Sequence, residues 1–156
     1  MTLEIEANSQ QIRDLIARIH AALRGLSDDD LNRAPALRGA NSPFVIATHV
    51  LGNARAWVLG IACGQDMRRD RPAEFGSRGT YEELGIAACK LSGDIDAALQ
   101  ALDPARLDER FVPAADLWGE GDPHEIQRRE ALTHVIEHAG IHLGQIQVTL
   151  DLLRSG

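Results

Sequence analysis

The sequence has few cysteines, few aromatic residues and no excess of basic charge. Two cysteines separated by 25 residues, Cys63 and Cys89, form neither a CxxC motif nor a disulfide framework. Three Phe, two Trp and one Tyr in 156 residues leave a core of Leu, Ile, Val and Ala, which favours close-packed helices. A net charge of −7 argues against a nucleic-acid partner, which would need a basic stripe, and gives no indication of binding to an anionic membrane.

Long apolar runs are also lacking. No apolar run approaches the ~20 residues of a membrane span, and the first twelve residues are too polar for a signal peptide. We therefore expect no membrane association and a cytoplasmic protein with reduced thiols. A catalytic cysteine is the lesser alternative, because only Lys90, beside Cys89, could lower the pKa of a thiol. The length predicts one domain over residues 1–156.

Hydrophobic residues recur at i, i+3, i+4 and i+7 in four segments, which is the pattern of amphipathic helices. No segment shows sustained period-two alternation, so we expect no sheet. Four such helices in one domain predict an all-α four-helix bundle. The four segments cover residues 12–26, 42–64, 80–102 and 122–153.

Capping residues mark where the helices should begin. Ser42, followed by proline, has the form of an N-cap with an N1 proline. Thr80 with Glu83 three residues later is a capping box. The segment Asp122–Glu125 offers an N-cap, an N1 proline and an N3 glutamate for the last helix. The polar, Gly- and Pro-containing residues 68–79 are expected to form a loop.

The most informative motif is His138-Ala-Gly-Ile-His142. Two histidines four residues apart project from one face of a helix and can share one metal ion. A third histidine, His49, lies on the second predicted helix. Three imidazoles with one open position form a site that can hold water or a substrate atom, so we predict a divalent metal held by His49, His138 and His142.

Neighbouring positions of the last helix refine this prediction. His134 continues the four-residue spacing, but the rotation of roughly 40° per step should turn it away from the core, so we expect no ligand there. Gly140 and Gly144 predict close approach of another backbone or a bound group. Gln145 lies beside the histidine pair and is our candidate catalytic residue. It could hydrogen-bond a ligand imidazole, a metal-bound water or a substrate.

The pattern H-x-x-x-H-x-G-Q, formed by His138, His142, Gly144 and Gln145, resembles the last helix of the DinB/YfiT-like metalloenzyme family. Around His49, the order of proline, histidine and tryptophan (Pro43 and Trp57, the latter with a shifted spacing) is similar to the family's second helix. The sequence G-L-S-D-D-D-L at residues 25–31 also resembles the family's connection between its first two helices. The similarity covers nearly the whole chain.

The resemblance implies a bundle with up-down-down-up topology, a divalent ion on His49, His138 and His142, and a homodimer. Some relatives are thiol S-transferases or isomerases that use bacillithiol, mycothiol or glutathione. The mycothiol-dependent branch has glutamate at the position of His138, and this chain departs from it. A low-molecular-weight thiol is thus the implied co-substrate.

Three functions follow from these observations. The first is a metal-dependent thiol S-transferase acting on small electrophiles. The second is a non-catalytic metal- or ligand-binding helical bundle of the stress response, in which the ion ties two helices together. The third is a helical interaction protein without a metal. Three imidazoles suit zinc, nickel, copper or iron, of which zinc and nickel are our first candidates. Ile141, Val148 and Leu152, on a second apolar side of the last helix, favour a dimer.

Overall fold

The fold was analysed in a computed structural model, which describes residues 2–155. Nearly all of its regular structure is helical, and this confirms the all-α prediction. The elements in chain order are α1 (Leu3–Ala22), α2 (Asp28–Leu31), α3 (Pro43–Ala54) continued by a π-helical segment (Arg55–Ala62), α4 (Arg71–Phe75), α5 (Tyr81–Ala101), a 3₁₀ turn (Pro104–Asp108), β1 (Arg110–Phe111), α6 (Ala115–Trp118), β2 (Ile126–Gln127) and α7 (Arg128–Ser155).

Four long helices, α1, α3 with its π-helical continuation, α5 and α7, surround the core. Both α1 and α3 pack against α5 and against α7. The core side chains are mostly Ile, Leu, Val and Ala, as the scarcity of aromatic residues predicts. The short elements lie in the connections between these long helices.

The helix from Pro43 to Ala62 is the most apolar element of the described chain. With 20 residues and a mean hydropathy of 1.3, it could cross a membrane by length and composition, so the expectation that no apolar run approaches a membrane span is wrong for this segment. However, 78% of it is buried inside the protein. A helix that is apolar on all sides is also typical of a protein core, and burial of this extent identifies a core helix.

Local capping signals locate two predicted helix starts correctly. The Ser42 hydroxyl accepts a hydrogen bond of 3.2 Å from the backbone N–H of Val45 at the start of α3. At the start of α5, Thr80 and Glu83 form the reciprocal pair of a capping box. The Ser27 hydroxyl likewise caps the single turn of α2. In all three caps the bonded residues lie within four positions of one another in the sequence.

The predicted start of the last helix is wrong. Residues Asp122–Glu125 are not helical, and α7 begins at Arg128. The preceding Ile126–Gln127 pairs antiparallel with Arg110–Phe111, and this two-stranded sheet also contradicts the expectation of no strand. Strands of two residues are too short to show an alternating pattern, and their pairing depends on a segment far away in the sequence.

The distal half of the second long helix is a π-helix. The backbone N–H of Cys63 donates to the carbonyl of Val58, five residues earlier, at 2.9 Å. A wider turn changes the direction in which later side chains point relative to a regular α-helix, and such turns occur often at functional sites. Trp57 lies in this segment, 4% exposed.

Candidate metal centre

The three predicted ligands come together in the structure. His49 on α3 and His138 and His142 on α7 each offer a ligand nitrogen, and these three atoms lie within 4.8 Å of one another. The centroids of the His49 ring and the two α7 rings are 5.0 and 5.1 Å apart. The packing of α3 on α7 therefore brings His49 next to the two histidines that lie four residues apart on α7.

The arrangement of two ring nitrogens fits a shared cation. Nε2 of His49 and Nε2 of His138 are 3.1 Å apart. Two nitrogens bound to one tetrahedral zinc ion at ~2.05 Å would lie about 3.3 Å apart, so the observed separation needs little adjustment. Lone pairs facing each other at this distance repel unless a proton or a cation lies between them. The donor set therefore fits a divalent ion that prefers nitrogen ligands.

His49 is oriented by a buried ion pair that the sequence did not reveal. Its Nδ1 is 2.8 Å from Oε2 of Glu74, and both oxygens of this carboxylate accept hydrogen bonds from Arg69, at 2.7 and 2.8 Å. A carboxylate only accepts, so Nδ1 of His49 carries the proton and Nε2 remains free for a metal. Burial raises the pKa of the Glu74 carboxyl, but the bonds from His49 and Arg69 outweigh this and lower it overall.

The Glu74 carboxylate comes from α4, where we expected a loop. Asp70 caps this short helix by accepting from the N–H of Ala73, and Pro72 lies in its first turn. The same combination of cap and proline correctly marks α3, so a signal for α4 is present in the sequence. The contact with His49 is 25 residues distant along the chain, and no local pattern predicts it.

Gly52 leaves the space that the Glu74 carboxylate occupies. A Cβ atom at position 52 would lie only 2.0 Å from Oε1 and 2.6 Å from Cδ of Glu74. Gly52 follows His49 by three residues and therefore shares its side of α3. Because Gly52 has no side chain, the Glu74 carboxylate can reach the imidazole of His49.

Gln145 forms a hydrogen bond with His142, the third candidate ligand. Its Oε1 lies 2.6 Å from Nδ1 of His142, and an amide oxygen can only accept, so this nitrogen carries the ring proton. Nε2 of His142 is then free, as in His49. Of the three roles we considered for Gln145, this contact matches the hydrogen bond to a ligand imidazole. Its assignment as a catalytic residue stays a prediction.

The α7 histidines are held in the neutral form that binds metals. Burial, followed by the neighbouring imidazoles and Arg69, lowers the pKa of His138 to about 2. Burial also lowers the pKa of His142, although its bond to Gln145 acts in the opposite direction. Nδ1 of His138 is buried and has no hydrogen-bond partner among the described residues. This ring is therefore held by packing and by its neighbours in the cluster.

The expected orientation of His134 is wrong. The His134 ring does not point away from the core but stacks on Trp57, with 3.6 Å between ring centroids and an angle of 19°. The buried face of α7 includes Ala131, Val135 and Thr149, which widen it toward the histidines. The Trp57 ring packs on His134, which lies beside this buried face. His134 is nevertheless outside the converging set of three.

Gly140 and Gly144 do not approach another backbone. A Cβ atom at either position would meet nothing within 4 Å, so both glycines face open space on α7. Exposed apolar residues share this side of the helix: Ile141 is 63%, Val148 61% and Leu152 40% exposed. The expectation of close approach is therefore wrong within this chain.

A cavity of about 620 Å³ connects the histidine cluster to the surface. This volume lies within the range of sites for small molecules. It is lined by the three candidate ligands and Gln145, by aromatic side chains, and by the charged side chains of Arg69, Arg71, Glu120 and Glu130. The histidine, aromatic and amide residues of the lining include His49, His134, His138, His142, Trp57, Trp118, Asn53 and Gln145.

The comparisons with known proteins agree with this geometry. No curated protein matches the chain. The sequence model of the DinB superfamily matches residues 11–146, which include all three histidines of the cluster. Because this match spans most of the 156 residues, the protein belongs to the DinB superfamily.

Proposed function

We propose that this protein binds one divalent metal ion through His49, His138 and His142 and transfers a small thiol to an electrophile. The separation of 3.1 Å between Nε2 of His49 and Nε2 of His138 is the observation that carries the proposal. Membership of the DinB superfamily adds support, since the resemblance described above implies the same ligands. Zinc and nickel both suit three imidazoles.

The bound ion would act as a Lewis acid that lowers the pKa of the co-substrate thiol, so that a thiolate is available at neutral pH. Glu74 and Gln145 keep the Nδ1 protons of His49 and His142 in place, which directs the Nε2 atoms inward. The thiol proton passes to solvent. A bond forms between sulfur and the electrophilic carbon, and the leaving group departs with its electron pair.

Metal binding can be tested separately from catalysis. We expect His49→Ala, His138→Ala and His142→Ala each to abolish zinc binding or weaken it at least 100-fold in isothermal titration of untagged protein. His20→Ala is the control, because His20 stacks on Tyr81 outside the cluster. Wild-type protein that contains no metal by elemental analysis and binds none in titration would refute the proposed site.

Catalysis requires a second measurement. Glutathione, bacillithiol and mycothiol are incubated with a chlorinated aromatic electrophile, with metal-loaded and with chelator-treated protein. Faster thiol consumption with the loaded protein supports the transferase. If metal binds but no thiol is consumed, the non-catalytic alternative holds, and there the chelator should lower the melting temperature without loss of any activity.

We also propose a homodimer that forms through the exposed side of α7. Ile141 and Val148 are apolar and more than half exposed, and the adjacent glycines would let a second helix approach closely. Light scattering after gel filtration should give twice the monomer mass, and Ile141→Lys with Val148→Lys should give a monomer. Because a thiol co-substrate must stay reduced, a reducing compartment such as the cytoplasm is the proposed location.

A further inference from the structure

Arg71 offers an accessible positive charge in the cavity. Both Arg69 and Arg71 line it, but they differ in how fully they are engaged. Arg69 is only 4% exposed and donates hydrogen bonds to both carboxylate oxygens of Glu74. Arg71 is 33% exposed, and its Nη2 donates to Oε2 of Glu120 at 3.1 Å. The Nε and Nη1 donors of Arg71 have no partner among residues 2–155, so they are available to a ligand.

The ion pair between Arg71 and Glu120 is easily exchanged. The Glu120 side chain is 86% exposed, so water solvates its carboxylate nearly as well when the pair is open. Exposed ion pairs of this kind contribute little to stability. A ligand carboxylate that has further contacts in the cavity can therefore displace Glu120. The other acidic side chain of the lining, Glu130, is engaged elsewhere, because it accepts the backbone N–H of Gln127 at the start of α7.

Arg71 also lies within reach of the histidine cluster. Its guanidinium carbon is 5.0 Å from the centre of the Phe75 ring, and that ring centre is 5.0 Å from the centre of the His49 ring. The guanidinium carbon is therefore at most 10 Å from the His49 ring centre. A flexible chain of about six bonds between sulfur and carboxylate carbon can span this distance once both binding contacts are included. Phe75 is 37% exposed and offers an apolar surface to the carbon atoms of such a chain.

We propose that Arg71 binds the carboxylate of the thiol co-substrate, so that the protein selects acidic thiols over neutral ones. This inference rests on the thiol transfer proposed above and names the class of thiol. A guanidinium group can donate two parallel hydrogen bonds to a carboxylate, whereas a neutral amide or hydroxyl group brings no negative charge. With the carboxylate at Arg71 and the carbon chain on Phe75, the sulfur can reach the histidine cluster.

Thiol binding can be measured without any electrophile. Protein loaded with cobalt(II) is titrated with 6-mercaptohexanoate, with its amide and with the cationic 6-aminohexanethiol. The ultraviolet charge-transfer absorption of cobalt-bound thiolate reports the binding of each. The measured quantity is the affinity for the acid divided by the affinity for the amide, which we call the acid preference. Comparing the acid preference between variants cancels the small difference in thiol acidity between the two compounds.

Substitutions at the two ends of the ion pair should change the acid preference in opposite directions. We expect a decrease of about 5- to 10-fold in Arg71→Gln and partial recovery in Arg71→Lys, which keeps the charge but not the planar donor pair. Glu120→Gln should increase it about 2- to 5-fold, because a competing carboxylate is removed. A merely structural ion pair would not give changes of opposite sign. Arg33→Gln is the control, because Arg33 is an exposed arginine paired with Asp30 outside the cavity.

The outcomes separate this inference from the proposed function. An equal acid preference in wild type and Arg71→Gln, at unchanged cobalt content, would overturn the role of Arg71 and leave thiol binding at the metal intact. Tighter binding of 6-aminohexanethiol than of the acid would also overturn it, because acidic side chains would then select the thiol. If cobalt-loaded wild type binds none of the three thiols, the thiol transfer is refuted together with this inference.

Discussion

Gly52→Ala should destabilise the protein, although replacing glycine with alanine inside a helix is usually stabilising. In a helix interior, alanine is more stable than glycine by about 1 kcal/mol. At position 52, however, the new methyl group would lie 2.0 Å from Oε1 of Glu74. The carboxyl is at the end of a flexible chain and can move, but only by giving up its hydrogen bonds to His49 and Arg69.

The cost follows from how deeply these groups are buried. The side chains of Arg69 and Glu74 are 4% and 9% exposed. Breaking a buried pair costs about 3–5 kcal/mol, so after the gain from alanine we expect a loss of about 2–4 kcal/mol in the free energy of unfolding. For a domain of this size, that lowers the melting temperature by about 5–15 °C. Loss of the hydrogen bond that orients His49 should weaken zinc binding about 10- to 100-fold.

Two assays and a matched control test this reasoning. Thermal unfolding is measured with chelator present, so that metal does not contribute, and zinc affinity is measured by isothermal titration. Gly93→Ala is the control, because Gly93 also lies inside a helix but a Cβ atom there meets nothing within 4 Å. It should be slightly stabilising and leave zinc affinity unchanged. If Gly52→Ala behaves like Gly93→Ala, Gly52 does not make room for Glu74.

Three further predictions concern other parts of the protein. Gln145→Leu should weaken zinc binding about 10-fold, because His142 loses the acceptor that orients it, whereas Gln147→Leu on the exposed side of α7 should leave titration unchanged. At pH 8 iodoacetamide should modify exposed Cys89 well before Cys63, because burial raises the pKa of the Cys63 thiol to about 11 and keeps it protonated. Mass spectrometry that finds Cys63 modified first would contradict this. Ser42→Ala should cost about 1 kcal/mol and lower the melting temperature by about 2–4 °C, and an unchanged denaturation curve would mean that the α3 cap contributes nothing.

The sequence is sufficient for those features that depend on neighbours within a turn or two. The caps at Ser42 and Thr80 and the pairing of His138 with His142 are of this kind. His49 joined them correctly because a small bundle of four helices leaves few places for a third imidazole to meet the other two. The main fold class follows similarly from four amphipathic segments.

The errors have a common physical origin in contacts between distant segments. Glu74 reaches His49 only because α4 folds back onto α3, and the start of α7 is displaced by the pairing of β2 with β1. His134 was misplaced because a simple 3.6-residue period cannot show where Trp57, in the adjacent π-helical segment, will lie. Tertiary packing decides all three features, and each concerns the surroundings of the cavity rather than the helices themselves.

The contact between His49 and His138 has a consequence for the folding of the chain. These residues are 89 positions apart, so an ion bound to both would close a large loop, as a cross-link does. Keeping this loop closed in the unfolded chain would cost about 4 kcal/mol of conformational entropy. An ion that binds only the native state at 100 times its dissociation constant adds about 2.7 kcal/mol to the free energy of unfolding. Metal supply would then influence what fraction of the chain stays folded as well as the chemistry in its cavity.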